Sequence, residues 1–364
     1  MNFTSKIIAV AFLASASACT DSYIDELNYV APGEDETAPQ IAISYPVEGT
    51  LIRVTEDVTA ITAKFEVQDD IEIASITLSI DGKEIGSYND FKDYRRAALQ
   101  VPVDNITNGP HTMTISANDI TDKTTVSTVT FDKVPPYKSE YENEIFYIPF
   151  DGEYVDLVTI SPANEVGNPG FAGQSVAGTN AYAGATGAYL TYPGASLANP
   201  EFSASFWYKI NNVPDRAGIL VMGPIDEANP QNMNNRTAGF RLFREGSATR
   251  QTFKLNVGTG TSENWFDGGD AASIDPATST EWIHLAFTIS ADQCTLYING
   301  NIASQGSYPG ISWEGCDLLS IGSGAPRFAG WGHLSDLSFL DELRIFDKAL
   351  SQAEVQEIMN DEQP

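Results

Sequence analysis

Tryptophans in Gly- and Asp-rich segments are the side chains of this sequence best suited to binding chemistry. Trp265, Trp313 and Trp331 lie in predicted loops of this kind, where a large exposed ring is unfavourable unless it meets a ligand. Aromatic faces bind the apolar C–H faces of sugar rings, and a few directed hydrogen bonds fix the hydroxyls. We predict that these three rings form a sugar-binding surface, with burial as loop plugs as the alternative.

Polar residues in the same segments could supply the directed hydrogen bonds. Asn235, Arg236 and Arg327 carry amide or guanidinium donors, and a guanidinium can hold a hydroxyl or carboxylate through two parallel bonds. His333 follows Trp331 by two positions in the same segment. We expect all four to contact a ligand. Neutralising nearby acids is the alternative role for the arginines.

Paired carboxylates for glycoside hydrolysis are not evident in the C-terminal half of the chain. Hydrolysis needs two carboxyl groups facing one cleft, about 5–5.5 Å apart for retention or about 6.5–9.5 Å apart for inversion. No predicted strand after residue 145 carries acids at the Glu-x-Asp-x-x-Glu spacing that would place them so. We therefore expect no catalytic residues, with an unrecognised lyase or hydrolase site as an alternative.

The segments around these residues have the pattern of β-strands. Residues 283–289 alternate apolar with other residues, which indicates a strand buried chiefly on one face. Asn299-Gly300 predicts a tight hairpin turn, because both central residues of a type I′ turn need positive φ. Ser351 and Glu354 form a capping-box pattern, which predicts one helix near the C terminus. The fold class is therefore predicted to be all-β with a short C-terminal helix.

Composition bounds the size and the partners of the protein. The 364 residues suffice for two or three domains, and 29 Gly with 19 Pro favour turns over long helices. The 49 acidic and 20 basic residues give a formal charge of −29. Phosphate backbones and anionic lipid surfaces would repel such a chain. Nucleic acid is therefore excluded as a partner.

The first 19 residues have the features of an export signal. One Lys, a short apolar run and small residues precede Cys19, and the run is too short to span a bilayer. The Ala-Ser-Ala-Cys sequence at 16–19 resembles the lipobox of bacterial lipoproteins. This implies a signal peptide at 1–18 and lipid attached to Cys19; an ordinary secretory signal is the alternative. Residues 19–38 are polar and acidic, which predicts an extended tether.

Residues 39–134 are predicted to be a separate β domain. Short strand signals alternate with turns such as Asp81-Gly82, without helical periodicity. The segments APQIAISYPVEGT, ASITLSIDGKEI and NGPHTMTISANDITD resemble bacterial immunoglobulin-like domains. That resemblance implies a β-sandwich that acts as a spacer. Residues 135–144 begin with Pro135-Pro136 and are predicted to be a linker.

Residues 145–364 resemble laminin G-like domains of the concanavalin A-like lectin/glucanase superfamily. The segments IFYIPFDGEYVDL, FSASFWYKI, EWIHLAFTI and LDELRIFDKALSQAEVQEIM carry the resemblance and stand in the expected order. It implies a jelly-roll sandwich of two sheets. It also implies a structural calcium ion where the first strand meets the last, for which Asp151 and Asp341 fit best.

The order of anchor, spacer and lectin-like domain resembles surface glycan-binding lipoproteins of Bacteroidetes polysaccharide-utilisation systems. This implies a non-catalytic protein that captures polysaccharide at the outer membrane, is lipid-anchored and faces the cell exterior. An outer-membrane glycan importer complex is then an expected partner. The alternatives are a structural or adhesive protein that binds a protein partner, and a polysaccharide lyase or glycoside hydrolase of the same superfamily.

Two cysteines remain besides Cys19. An exported chain with only Cys294 and Cys316 available favours a disulfide between them. Two reduced, buried thiols are the alternative.

Overall fold

The structure is a computed structural model that describes residues 33–363. The described residues group into two compact units: one holds those up to Glu48, Thr62–Val103 and His111–Thr130, and the other holds Gly49–Ile61, Asp104–Pro110 and those from Phe131 onward. In the part of the chain that is described, no helix has the length and apolarity needed to cross a membrane.

Eight strands occupy the N-terminal part of the chain. They form a three-stranded sheet of order β1-β3-β6 and a five-stranded sheet of order β2-β8-β7-β4-β5. Asp81 and Gly82 both have positive φ between β4 and β5, as the predicted hairpin turn requires. The strands are β1 Gln40–Tyr45, β2 Thr50–Ile52, β3 Val58–Gln68, β4 Ile73–Ile80, β5 Lys83–Tyr88, β6 Arg96–Thr107, β7 Gly109–Asp119 and β8 Thr124–Lys133.

The C-terminal part contains eighteen strands, two short 3₁₀ helices at Ala195–Leu197 and Gly269–Ala272, and one α-helix, α1, at Gln352–Asp361. The strands are β9 Glu144–Ile148, β10 Val155–Asp156, β11 Ser161–Pro162, β12 Asn164–Val166, β13 Gly170–Phe171, β14 Tyr182–Ala183, β15 Tyr189–Pro193, β16 Phe202–Lys209, β17 Arg216–Met222, β18 Phe240–Ser247, β19 Arg250–Gly258, β20 Glu263–Asp267, β21 Ser273–Ile274, β22 Ile283–Ile289, β23 Gln293–Ile298, β24 Asn301–Ser307, β25 Leu318–Ile321 and β26 Phe339–Phe346.

Two eight-stranded sheets enclose the core of this C-terminal part. The site sheet has the order β12-β15-β25-β17-β18-β19-β20, with β21 paired to β19. The helix sheet has the order β13-β14-β26-β16-β22-β23-β24, with β9 paired to β26. One apolar cluster joins residues of both sheets, among them Phe206 and Phe287 of the helix sheet and Leu242 and Leu255 of the site sheet. The architecture is the predicted all-β jelly-roll sandwich.

Strand β22 of the helix sheet is buried on both faces, which corrects the expectation that 283–289 is buried chiefly on one face. All seven residues of β22 are buried. A second apolar cluster lies on the outer side of this sheet, where Val355 and Ile358 of α1 pack with Ala286 and Tyr297. The period-two pattern predicts that one face of β22 is exposed to solvent. That prediction is wrong, because α1 covers this face.

Two local predictions are confirmed at the ends of these elements. Asn299 and Gly300 have φ of 48° and 69° in the turn between β23 and β24. The Ser351 side chain accepts from the Glu354 backbone N–H and the Glu354 side chain accepts from the Ser351 backbone N–H, which completes the capping box of α1.

Candidate functional site

The outer face of the site sheet, opposite the core, carries the predicted tryptophan that lies on a strand. Along β18 the core takes Phe240 and Leu242, while Phe243 packs on the other side with Val221 and Phe328. In the ladder from β19 to β20, Asn256 pairs with Trp265. Because side chains alternate along a strand, Trp265 points the same way as its i±2 neighbours Glu263 and Asp267.

Trp265 and Trp331 form a stacked aromatic pair, called here the platform. Their ring centroids are 5.8 Å apart and their planes differ by 13°. This separation exceeds the ~3.5–4.0 Å of direct carbon contact, so the rings are displaced sideways and each leaves part of its face uncovered. Trp265 is 41% exposed and Trp331 is 39% exposed. The structure therefore brings two of the three predicted tryptophans together at the surface.

A buried aromatic layer supports the platform from below. Phe243 meets Trp265 edge-on at 6.0 Å between centroids, and Phe328 meets Trp331 at 5.6 Å. His333 stacks on Phe328 at 5.1 Å with planes 14° apart. These contacts fix the orientation of both tryptophans, because the layer beneath them is rigid and closely packed.

His333 belongs to this support and has no exposed surface. Its Nε2 lies 3.0 Å from Glu245 Oε2, while its Nδ1 has no hydrogen-bond partner among the described groups. Burial lowers the pKa of His333, against the opposing effect of the Glu245 charge. The expectation that His333 touches ligand is therefore not met by its position, since the ring is fully covered.

Arg236 lies over the platform and is paired with an acid. Its guanidinium carbon is 4.2 Å from the centroid of the Trp331 ring, within the range of a cation–π contact. Its Nε and Nη2 donate to the two carboxylate oxygens of Glu263 at 2.5 and 3.1 Å. Burial raises the pKa of Glu263, but the hydrogen bonds from Arg236 and Asn256 outweigh it and hold the pKa below its usual range.

A polar cleft of about 450 Å³ opens beside this ion pair. Asn235 lines it, and the Asn235 Oδ1 accepts from the Thr237 backbone N–H at 3.1 Å and from the Thr237 hydroxyl at 2.8 Å. A second cleft of about 540 Å³ shares Asp226, Asn235 and Thr237 with the first. The first cleft is lined by Asp226, Ala228, Asn229, Asn234, Asn235, Arg236, Thr237, Thr261, Ser262 and Glu263.

Several buried polar atoms in this region lack a partner within the described structure. They are the Oδ1 atoms of Asn234 and Asn256 and the Nε of Arg241. Arg241 is completely buried, and its Nη1 donates to the Ala238 carbonyl at 2.9 Å. Burial lowers the pKa of Arg241 to about 10. Unpaired buried donors and acceptors are energetically unfavourable. These atoms therefore favour a water molecule or a ligand hydroxyl as a hydrogen-bond partner.

Carboxylates on the same face are bridged by one lysine. Lys254 Nζ lies 3.1 Å from Glu245 and 2.9 Å from Asp267. Burial raises the pKa of both acids, but the bonds and charge of Lys254 outweigh it and lower each pKa overall. These acids are therefore ionised and paired at neutral pH.

Two predicted ligand residues lie away from the platform. Trp313 packs against Phe202 and Phe240 on the core side of the site sheet, and its Nε1 donates to the Asn199 carbonyl at 2.6 Å. Its position matches the loop-plug alternative. Arg327 is nearly buried and donates to Asp317 at 2.6 Å, so its charge is taken up within the protein.

The expected disulfide is wrong, because Cys294 and Cys316 are both free and buried. Cys294 lies on β23 of the helix sheet, while Cys316 lies two residues before β25 of the site sheet. Burial raises the pKa of Cys294 to about 12 and that of Cys316 to about 11. Each thiol fills space in the core as a small apolar side chain.

Asp151 and Asp341 both bind the backbone of one loop. The Asp341 Oδ2 accepts from the Val176 N–H at 2.6 Å, and the Asp151 Oδ1 accepts from the Asn180 N–H at 2.9 Å. Burial raises the pKa of Asp341 to about 8, and the Asp341 Oδ1 has no partner among the described groups. A buried carboxylate oxygen without a partner fits a calcium ligand. The described residues contain no cluster of three acidic, His or Cys side chains that could hold a metal without backbone oxygens.

Sequence reasoning misses two residues of this site, Glu263 and Phe328, and assigns the wrong local structure to a third, Trp265. Trp265 was expected in a loop, but it lies on the edge strand β20, whose Glu-Asn-Trp-Phe-Asp sequence is a weak strand signal. Glu263 and Phe328 went unnoticed because their roles depend on partners far along the chain. Alternation of Glu263, Trp265 and Asp267 is the one signal that could have indicated a shared face.

The predicted leader at 1–18 and most of the predicted tether at 19–38 lie outside the described residues. This includes the lipidation of Cys19.

Comparisons with known proteins bear on the C-terminal part. Domain 4 of a GH43 extracellular arabinanase from Geobacillus stearothermophilus, solved with arabinotriose, is similar at 17% identity and a TM-score of 0.46, covering 60% of this chain and 98% of that one. The binding domain of botulinum neurotoxin DC in complex with SialylT is similar at 14% identity and a TM-score of 0.44, covering 61% of this chain. The match spans about half of that neurotoxin domain, 52% of its length. No curated protein sequence matches the chain.

A family model gives the more specific finding. Residues 183–356 match the model of the concanavalin A-like lectin/glucanases superfamily. This segment begins at the end of β14 and reaches into α1, so it includes the platform, the supporting aromatic layer and both clefts. Together with the two-sheet sandwich, the match identifies the C-terminal part of the chain as a concanavalin A-like jelly-roll domain.

Proposed function

We propose that this protein binds polysaccharide without cleaving it, through the platform and the clefts on the outer face of the site sheet. The observation that carries the proposal is the exposed, stacked pair of Trp265 and Trp331. Two large rings at the surface of a well-packed domain are unfavourable unless something covers them. The superfamily that the domain matches contains both lectins and glucanases.

The chemistry of the site suits sugar rings. The displaced tryptophans offer two nearly parallel aromatic surfaces to apolar C–H faces. The cleft beside them offers amide, hydroxyl and carboxylate groups of Asn229, Asn235, Thr237 and Glu263 to sugar hydroxyls. A binding site of this type needs no moving parts, since the aromatic layer below already holds both rings.

Electrostatics favour binding over hydrolysis. A glycosidase needs a carboxylic acid whose pKa is raised, so that it stays protonated until it donates to the leaving oxygen. The carboxylates beside the platform have the opposite property, because ion pairs lower the pKa of Glu245, Glu263 and Asp267. We therefore propose that the role is capture.

The N-terminal sequence supports the proposal that this capture takes place at the surface of a bacterial cell. The export signal at 1–18 and the lipobox-like Ala-Ser-Ala-Cys sequence support a lipid anchor on Cys19. We propose that the protein is held at the outer membrane, facing outward, with its immunoglobulin-like part as a spacer. Its role is to supply polysaccharide to an outer-membrane importer of a Bacteroidetes-type polysaccharide-utilisation system.

Native affinity electrophoresis against a panel of polysaccharides tests the binding role. We expect at least one polymer to retard the protein without becoming shorter. Removing an aromatic anchor costs about 1.4–2.8 kcal/mol, so Trp265→Ala and Trp331→Ala should each weaken binding about 10- to 100-fold. Trp282→Ala is the matched control, because Trp282 contacts Phe339 at the helix sheet and is not part of the platform.

Three outcomes would contradict the proposal. Retardation by no polymer would favour an adhesive protein with a protein partner. Equal weakening by Trp282→Ala and the platform variants would remove the platform as the site. New reducing ends or unsaturated products after incubation with the polymer would show that the protein is an enzyme.

A further inference from the structure

We propose that Glu263 makes the site selective for uncharged glycans, because it neutralises Arg236, the guanidinium that lies on the platform. This inference rests on the proposed function and names the class of glycan that the same site takes. Its basis is the distribution of charge around the two rings.

Arg236 is placed where it could bind an anionic sugar. Its guanidinium lies 4.2 Å from the Trp331 ring centroid and lines the first cleft. A free guanidinium there would hold a uronate carboxylate or a sulfate ester by two parallel hydrogen bonds. Glu263 already occupies that fork, however, with both of its oxygens at 2.5 and 3.1 Å.

Glu263 is itself held in position by the strand beneath it. Asn256 Nδ2 donates to Glu263 Oε2 at 3.0 Å and to the Asn264 carbonyl at 3.4 Å. The side chain of Glu263 is 27% exposed, and that of Arg236 is 23% exposed. A half-buried pair with two parallel bonds and an extra donor persists better than an exposed single contact. The fork of Arg236 is therefore taken before any ligand arrives.

The other cations around the platform and the two clefts are also paired with carboxylates. Lys254 bridges Glu245 and Asp267, and Arg327 binds Asp317 at 2.6 Å. Arg216, which donates to the Trp331 carbonyl, has Asp215 at 3.7 Å. These pairs leave little positive potential for an anionic polymer.

Arg241 does not change this balance. Its Nη1 donates to the Ala238 carbonyl and its Nη2 donates to the Asn235 carbonyl, so its hydrogen bonds go to backbone oxygens. It has no exposed surface, so a ligand lying in the cleft cannot reach it.

The walls of the two clefts are acidic. Their lining contains five carboxylates and one guanidinium, that of Arg236; the carboxylates are those of Asp226, Glu227, Glu263, Glu314 and Asp317. Such walls repel carboxylates and sulfates at short range, and the cleft shape concentrates that field. Their oxygens accept hydrogen bonds, which hydroxyl groups can donate and anionic groups cannot. The site therefore matches a hydroxyl-rich, uncharged glycan.

A matched pair of polymers tests the selectivity. The first is the neutral polysaccharide that the wild-type protein binds best, and the second is the same polymer after oxidation of its primary alcohols to carboxylates. We expect wild-type protein to bind the oxidised polymer at least about tenfold more weakly than the neutral polymer. A change of this size corresponds to one lost charge-assisted contact or one new repulsion.

Glu263→Gln should reverse part of this preference. The substitution keeps the shape and leaves Arg236 unneutralised, so binding to the oxidised polymer should strengthen about tenfold. Binding to the neutral polymer should not strengthen, because the platform is unchanged and an amide accepts fewer hydrogen bonds from sugar hydroxyls than a carboxylate does. The double variant Arg236→Gln/Glu263→Gln should lose this stronger binding of the oxidised polymer. In the single variant Glu263→Gln, about 0.5 M salt should weaken binding of the oxidised polymer.

Glu357→Gln is the control for net charge, because it removes one acid from an exposed position of α1. Equal binding of both polymers by wild-type protein would overturn the selectivity while leaving polysaccharide binding intact. An identical gain in Glu263→Gln and Glu357→Gln would also overturn it, since net charge would then explain the result. Binding of neither the oxidised nor any neutral polymer would overturn the proposed function, and this inference with it.

Discussion

At the scale of single residues, burial decides which groups of the C-terminal domain carry charge. His284 is fully buried beside Trp207, and its Nε2 lies 2.8 Å from the Ser205 hydroxyl. Arg344 is almost fully buried but stays charged, because its guanidinium binds the carboxylates of four acids: Glu140, Glu144, Glu342 and Glu362. Burial therefore favours the neutral form of His284, whereas the surrounding carboxylates keep Arg344 charged despite its burial.

His284 should make the protein less stable in acid. Burial lowers its pKa from 6.5 to about 3 in the folded state. Between those two values the unfolded chain binds a proton that the folded chain does not. The free energy of unfolding should therefore fall as the pH drops below about 6.5, by up to ~1.4 kcal/mol per pH unit from this group, with no loss above that pH.

Urea unfolding of wild-type protein and of His284→Gln at pH 7, 6 and 5 measures this contribution. The glutamine variant lacks the titrating group, so its stability relative to wild type should improve as the pH falls. Parallel stability curves for the two proteins would mean that His284 is not the group responsible.

Calcium binding at Asp341 stays a prediction at the same scale. The unpartnered Asp341 Oδ1 is the oxygen that would bind the ion. Asp151, which binds the backbone of the same loop as Asp341, would contribute a further ligand. Calcium at about 100 times its dissociation constant should stabilise the fold by about 2.7 kcal/mol, seen as a higher Tm than in chelator. Asp341→Asn should remove the calcium response, whereas Asp347→Asn, at an exposed position, should keep it. An unchanged response in Asp341→Asn would rule out this site.

At the scale of elements, α1 and β20 show how packing overrides local pattern. The helix covers the outer side of the helix sheet with Val355 and Ile358, which explains why β22 is buried throughout. Strand β20 pairs only with β19 and carries Trp265 at the edge of the site sheet. Apart from its aromatic residues, the sequence of this edge strand is polar. Strand propensity alone therefore assigns it to a loop.

The capping box should contribute measurably to the stability of α1. Ser351→Ala removes the side-chain acceptor for the Glu354 N–H, and loss of such a cap costs about 1 kcal/mol. Ser351→Asp retains an acceptor at the same position and should stay close to wild type. Denaturant unfolding of the three proteins compares them. A destabilisation of the aspartate variant equal to that of the alanine variant would show that the cap is not responsible.

At the scale of the whole molecule, the described residues combine an N-terminal pair of sheets with a concanavalin A-like domain. The formal charge of −29 opposes binding to nucleic acid phosphates and to anionic lipid surfaces. Each part has its own core, so the binding chemistry can be assigned to the C-terminal domain by itself.

The lipid anchor is the prediction that belongs to this scale. Cys19→Ala should abolish incorporation of a labelled fatty acid and shift the protein from the detergent phase to the aqueous phase on phase partitioning. Cys294→Ala serves as the control, because its thiol is buried in the core and cannot be acylated. Labelling that survives Cys19→Ala would contradict the lipoprotein assignment.

The sequence by itself determined what depends on neighbours along the chain. Period-two segments, the Asn299-Gly300 turn and the Ser351–Glu354 cap are local signals, since backbone geometry and short-range hydrogen bonds set them. Together with the ordered motif segments they were enough to predict an all-β jelly roll with a C-terminal helix.

The tertiary structure decided everything that depends on distant partners. It separated Trp313 from the platform, placed His333 beneath it and left Cys294 on strand β23 and Cys316 in the segment before β25 as free thiols. It joined Arg236 to Glu263 across 27 positions of the chain. Such contacts arise from sheet pairing and loop packing, and no local pattern encodes which side chains those will bring together.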